Sequence, residues 1–347
     1  MRKIFLIVFG ILLFSINSIS AQKSEYKISA IGFYNLENLF DTIDAPDIWD
    51  EEFTPAGTKV WNTKKYNEKL ENMAYVISKI ATKKSKDGLA ILGVAEVENR
   101  SVLQDLVKQP AIANRRYNII HFDSDDFRGI DVALLYQPKY FTPQSAKSIP
   151  VVLYSGKEKK FTRDILYVSG LMYGEKIHIL VNHWPSRRGG EATTSPWRQQ
   201  AAAVDKKIID SLIAINPMAK VIVMGDLNDN PNNPSVKKVL KTKRKIKKVK
   251  LENMFNPMEN YFRKGNGTTA YKDSWSLFDQ IILTYGWLPK DQNGLRFYKA
   301  KIFNKNFLVQ KKGHFKGYPK RTFAGGEFIH GYSDHFPVYI YVIKPRK

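Results

Sequence analysis

The 347-residue sequence predicts an α/β fold in which sheets pack face to face with helices on the outside. Short apolar runs of strand length recur along the chain and outnumber helical patterns. Several follow one another with no helix between them, which argues against a purely parallel doubly wound sheet. Apolar residues at 43% and charged residues at 25% lie near globular averages, excluding a disordered chain and a polytopic membrane protein. No Pro-, Gly- or Ser-rich stretch is long enough to be a linker, so residues 25–347 read as one domain.

The elements follow in chain order. Arg2 and Lys3, an apolar run from Ile4 to Ile16 and small residues around Ser18, Ser20 and Ala21 form a secretory signal peptide over residues 1–22. That run is shorter than the roughly 20 residues a spanning helix needs, so no stable membrane span is expected. Periplasmic or extracellular export is the expectation. A strand from Ile28 to Asn35 comes next, with Glu37 on the same side as Asn35 if the backbone stays extended. Tyr66 to Ile80 is helical, since Leu70, Met73, Ala74 and Ile77 share one face. The strand Leu89 to Glu96 ends on a carboxylate, with Glu98 expected on the same face. Strands Asn118 to Phe122, Ile130 to Tyr136 and Ile165 to Met172 follow. The strand Lys176 to Asn182 delivers His183, Trp184 and the pair Arg187 and Arg188. Ser195 as N-cap and Pro196 at the first helical position open a helix to Ile215. The strand Lys220 to Gly225 runs into Asp226, Leu227 and Asn228, where the glycine allows close backbone approach. The strand Leu277 to Leu283 carries Asp279, and Ser333, Asp334 and His335 precede the last strand, Phe336 to Val342.

The formal charge of +22 favours anionic partners such as nucleic acid, a phosphorylated small molecule or an anionic lipid surface. Nine of the fourteen residues from Lys237 to Lys250 are basic, either a solvated segment or a grip on a polyanion. There is no cysteine, which excludes disulfides, thiolate-bound zinc and a Cys nucleophile. One Glu at a strand exit is ordinarily a surface residue. Here polar residues recur at five such exits, supplying carboxylates, carboxamides and two imidazoles with no Ser-His-Asp spacing, glycine-rich phosphate loop or HExxH helix. Carboxylate and amide oxygens suit a hard cation such as Mg²⁺, and the histidines can serve as acid and base about a phosphorus. The set fits metal-assisted phosphoester hydrolysis.

The ordered residues Asn35, Glu96, His183, Gly225-Asp226-Leu227-Asn228, Asp279 and Ser333-Asp334-His335 resemble the endonuclease/exonuclease/phosphatase superfamily, which includes DNase I. NLENLFD, GVAEVEN, RGIDVALLY and NHWPSRRGG are similar to an exported bacterial subset. The resemblance implies a four-layer α/β sandwich, two central, mostly antiparallel sheets flanked by helices, with the site at one end. It implies Glu96 as the principal Mg²⁺ ligand, with Asn35 beside it and Asp334 nearby; Mn²⁺ or Ca²⁺ are alternatives. Asp226 and Asn228 would orient the attacking water, and His335, steadied by Asp279, would contact the scissile phosphate. His183 would protonate the leaving oxygen. Ala95 stands where the family often has Gln. Arg128, Arg187, Arg188 and the lysine-rich run are candidates to follow a phosphate backbone. The expected protein is a monomeric exported phosphodiesterase, foremost a DNA or RNA endonuclease. The alternatives are a phosphatase or sphingomyelinase-like phospholipid phosphodiesterase, and a non-catalytic polyanion-binding protein.

Overall fold

Four strands buried on both faces organise the chain: β1 (Tyr26–Leu39), β2 (Leu89–Val97), β3 (Glu175–His183) and β4 (Lys220–Asp226). Two more, β5 (Asp279–Thr284) and β6 (Val338–Pro345), flank them. The computed structural model describes residues 26–46, 48–289 and 293–346; the signal peptide expected over residues 1–22 lies outside them. The first sheet has the order Arg296–Ile302, β6, β1, β2, Asp131–Tyr136, Asn118–His121. The second has the order Thr242–Lys243, Met254–Phe255, β5, β4, β3, Ile165–Met172, Phe141–Ile149. Pairing is antiparallel except for β1 with β2, β3 with β4, and a two-residue pair at the second sheet's edge.

Side-chain alternation explains the layering. Ile31 and Phe33 of β1 and Ile91 of β2 face inward and pack with Ile179, Val181, Ile222, Met224 and Ile281 of the second sheet. Ala30 and Tyr34 face outward, against Leu70, Met73 and Ile77 of helix α1 (Thr63–Lys79). Helix α2 (Arg100–Lys108) covers the same face through Val102, Leu103 and Leu106. Beyond the second sheet, helix α3 (Glu191–Ile215) sets Ala201, Ala202 and Ile209 on Leu180, Val221 and Val223. Each fully buried Leu, Ile, Val or Met among them contributes about 1.5–3 kcal/mol. The result is the helix–sheet–sheet–helix order expected from the sequence.

Helix α2 was not among the expected elements, and other features differ from the expectation as well. Helix α3 begins at Glu191, one turn before Ser195, because Gly190 (φ 109°) turns the chain and its carbonyl accepts the Thr194 hydroxyl at 2.7 Å. Pro196 therefore lies inside the helix. The strands Phe141–Ile149 and Arg296–Ile302 escaped the pattern reading because each is an outermost strand with little burial, so no apolar alternation marks them. The final strand starts at Val338 because Pro337 has no N–H to give to a ladder.

Candidate active site

The carboxyl ends of the two central parallel pairs meet at one end of the sandwich, and there the chain leaves regular geometry. Asn35 lies opposite Ala95, after which the β1–β2 register slips. Glu37, Asn38 and Glu96 take left-handed backbone angles (φ 50°, 53° and 58°), and Glu96 sits in a bulge between Ala95 and Val97. Bulges re-aim side chains beside functional sites. This corrects the expectation of shared faces. Glu96 turns one oxygen to the Asn38 N–H (3.0 Å) and the other to within 3.8 Å of His183 Nε2, whereas Glu98 accepts the Asp41 N–H at 2.6 Å. Glu37 turns from Asn35 to accept the Thr322 N–H at 2.7 Å and pairs with Arg321 at 3.2 Å.

On the second sheet, Asp226 is the register partner of both His183 and Asp279. A Cβ on Gly225 would lie 2.2 Å from the Asn182 carbonyl oxygen, so only glycine permits this approach before Asp226. Asp226 Oδ2 accepts from Asn35 Nδ2 at 3.1 Å and lies 3.7 Å from Nε2 of both His183 and His335. Asp226 Oδ1 accepts the Asn228 N–H at 3.0 Å, and Asn228, itself left-handed at φ 47°, donates to the Trp184 carbonyl at 2.9 Å. His335 Nδ1 is 2.7 Å from Asp279 Oδ2, an arrangement that fits an N–H donor at Nδ1 and leaves Nε2 facing Asp226. The Ser333 hydroxyl ties this corner to β1 by donating to the Asn35 carbonyl at 2.7 Å and accepting the His335 N–H at 3.1 Å.

The two imidazoles are pushed in opposite directions by their surroundings. Burial, then the positive charges of Arg163, Arg128 and His335, hold His183 well below the ordinary histidine range, which favours its neutral form, and its Nδ1 is buried without a partner. Burial also opposes a charge on His335, but Asp279 and Asp226 outweigh it and raise His335 well above that range. Burial is the main reason that Asp226 is pushed up to about 6.

The predicted arginines divide. Arg128 donates to Asn38 Oδ1 at 2.6 Å beside Glu96. Arg187 spends its donors within the protein, on the Asn228 carbonyl (2.8 Å), Asp229 (3.1 Å) and Glu191 (2.5 Å), so it positions Asn228. Arg188 is exposed at the rim. Asp334 is bound to Arg321 at 3.2 Å. The later part of the lysine-rich run does not border the site, since Ile246 lines a cavity with Tyr26 and Ile28, whereas Lys237 at its start donates its N–H to the carbonyl of Asn233, a residue that also binds Arg187. Tyr26 is nine residues back along β1 from Asn35, about 30 Å at strand rise.

Three site-bordering cations were not predicted. Buried Arg163 donates to the carbonyls of His183 (3.2 Å) and Trp184 (2.7 Å) and pairs with buried Asp126 at 3.0 Å. Arg321 bridges Glu37 and Asp334. Lys69, fully buried on α1, donates to the Tyr332 carbonyl at 2.6 Å and lies 3.9 Å from Glu37. A lysine one residue before Leu70, on the apolar stripe of the helix, was the available signal for the last.

The donor set suits a divalent cation. Glu96 keeps Oε1 free of hydrogen bonds and is partly exposed, and Asn35 Oδ1, which accepts the Glu37 N–H at 2.8 Å, retains a second lone pair. Hard cations of the Mg²⁺ type take one or two carboxylates and otherwise water or substrate oxygens. One strand further along the sheet, ligand atoms of His121, Asp123 and Asp131 also lie within 4.8 Å of one another and could hold an ion.

The chain is similar to solved structures at low identity. With C. elegans TDP2 the TM-score is 0.53 at 16% identity, covering 91% of this chain and 75% of that one. With D. rerio TDP2 complexed with a single-strand DNA product it is 0.52 at 14% identity, covering 91% and 98%. With a Bacteroides thetaiotaomicron endonuclease/exonuclease/phosphatase family protein it is 0.54 at 13% identity, covering 93% and 97%. These likenesses establish the shared fold. No curated protein sequence matches the chain. The sequence profile of the Endonuclease/Exonuclease/phosphatase family matches residues 30–344, and the chain belongs to that family.

Proposed function

We propose that this protein is an exported, divalent-metal-dependent phosphodiesterase that cleaves DNA or RNA. The observation that carries the reading is the convergence of Glu96, His183, Asp226 and His335 Nε2 at one end of the sandwich, within 3.7–3.8 Å of one another through Asp226 and His183. Glu96 with Asn35 would hold Mg²⁺, with Mn²⁺ or Ca²⁺ as substitutes, and the bound ion would supply Lewis acidity toward a phosphoryl oxygen. Asp226, fixed by the Asn228 and Asn35 amides, accepts a proton from the attacking water. His335, held by Asp279, sets a positive charge where negative charge develops on phosphorus. Neutral His183 serves as a hydrogen-bond donor from Nε2, a change from the leaving-group acid implied by resemblance. The DNA-bound TDP2 neighbour supports a nucleic-acid substrate at the level of fold similarity.

A second reading, a phospholipid phosphodiesterase, is favoured by one observation. Trp49 and Phe127, 68% and 48% exposed, meet edge to face at 5.0 Å next to Arg128. Such exposed aromatic pairs also seat proteins on lipid. Hydrolysis of plasmid DNA and RNA, measured beside sphingomyelin and inositol phosphates with each metal, decides between them. Cleavage of nucleic acid is expected; activity confined to sphingomyelin would select the second reading.

A further inference from the structure

The rim of the site is electrically lopsided. Residues 41–46 and 48–52, which follow Asn38 closely along the chain, contain five acidic residues and no base, whereas residues 310–321 contain five Lys or Arg and no acid. Arg321 brings the second segment to the site through its contacts with Glu37 and Asp334. A polyanion is repelled from the first rim and drawn over the second.

On the basic side a cavity of about 270 Å³ opens beside the site, lined by Tyr271, Phe315, Tyr318, Lys272, Arg321 and Asp334. Asp334 is next in sequence to His335, so the cavity and the catalytic corner share a wall. Its aromatic wall is braced: Tyr318 lies 5.8 Å from Phe315 and 6.2 Å from Trp275, and its hydroxyl donates to Asp273 at 2.8 Å. Trp275 in turn stacks on Phe336, the residue after His335, at 5.9 Å. Tyr271 stands 74% exposed at the mouth. Sites for drug-sized molecules occupy about 300–1,000 Å³, so this volume suits a single ring system. Larger cavities, such as one of about 730 Å³ lined by Tyr75, Phe303 and Phe307, contain none of the site's residues.

Flat aromatic faces set among cations beside a phosphate-handling site match one chemistry well. We propose that this cavity receives the nucleobase of a nucleotide adjoining the scissile phosphate, stacked on Phe315 and Tyr271, while Lys272 and the lysines of residues 310–321 meet the flanking phosphates. The proposal rests on the nucleic-acid reading above and deepens it. Stacking is sequence-tolerant, since every base has a π-face, so a preference for unpaired strands over any particular sequence follows.

The test compares kcat/KM for three substrates: a dinucleotide diester, the same diester with the bases replaced by hydrogen, and bis(4-nitrophenyl) phosphate. The parent protein is expected to favour the base-bearing dinucleotide over the base-free one by about tenfold or more, the scale of one base–aromatic stack. Phe315→Ala and Tyr271→Ala should each erode that preference by lowering kcat/KM on the base-bearing dinucleotide toward that on the base-free one, with circular dichroism and thermal melting reporting intact folding. Phe315→Tyr should retain it. Equal rates on the two dinucleotides, with the chromogenic diester still cleaved, would overturn the base site and leave the phosphodiesterase standing. No cleavage of either dinucleotide would overturn the nucleic-acid reading and this proposal with it.

Discussion

His183 and His335 carry the same side chain, and their surroundings push their proton affinities in opposite directions. His183 is buried among Arg163, Arg128 and His335, while His335 is flanked by the carboxylates of Asp279 and Asp226. A general acid matters less when the leaving oxygen is already a stable anion, whereas a neutral donor to phosphoryl oxygen matters equally for both leaving groups. His183→Ala should therefore lose about 10²-fold in turnover on both an alkyl and a nitrophenyl diester. A loss confined to the alkyl diester would restore the acid role. A second residue-scale prediction concerns Asp205, fully buried on α3, with one oxygen 3.3 Å from Asn182 Nδ2 and the other without a partner. Burial pushes its carboxyl from 3.8 up to about 8, so the folded state keeps a proton that the unfolded chain releases above pH 4. Stability is consequently lost as pH rises from about 4 toward 8. Asp205→Asn should match the parent near pH 4 and exceed it by roughly 1–3 kcal/mol at pH 8 in denaturant titrations. A variant less stable than the parent at pH 8 would contradict the assignment.

At the scale of elements, the sequence displayed the strands that are buried on both faces and concealed the devices at their ends. Continuous apolar runs made β1 to β4 legible, and polar residues at their exits located the site. The left-handed turns at Glu37, Asn38 and Glu96 were not legible, because nothing in NLENL or AEVEN requires φ above zero as a glycine would. Extended alternation therefore misplaced Glu37 and Glu98. Long-range partners such as Arg163 were equally hidden, since its contacts with Asp126 and His183 span 37 and 20 residues. That arginine fastens the end of β3 to the loop carrying Arg128. Removing one partner of a buried ion pair typically destabilises by about 3–5 kcal/mol, so Arg163→Met should do so and slow turnover as well. Combining it with Asp126→Asn should recover part of the stability, whereas additive losses in a double-mutant cycle would show that the pair is not coupled.

For the whole molecule, a net charge of +22 says that an anion is attracted but not where. The lysine-rich run was the obvious candidate in the sequence, yet its Ile246 lies among residues at the start of β1, at the end opposite the site. Residues 310–321, less dense in charge, border the catalytic corner. Reversing Lys311, Lys312 and Lys316 should weaken binding to single-stranded DNA and lower the salt dependence of binding by roughly one unit of slope for each phosphate no longer neutralised. Reversing Lys245, Lys247 and Lys248 should change that slope little. The opposite outcome would place the nucleic acid along the lysine-rich run.

The central claim is that the convergent carboxylates and imidazoles hydrolyse a phosphodiester with a hard cation held by Glu96. The most direct test is cleavage of a single-stranded DNA oligonucleotide by chelator-treated protein before and after Mg²⁺ is added, with Glu96→Gln in parallel. The side chain keeps its size in that variant and loses the charge that retains a divalent ion. Cleavage should appear only with Mg²⁺ in the parent and fall by about 10²-fold or more in Glu96→Gln, with partial recovery at high Mg²⁺. Cleavage that persists in chelator, or that proceeds in Glu96→Gln at the parent's rate, would contradict the account.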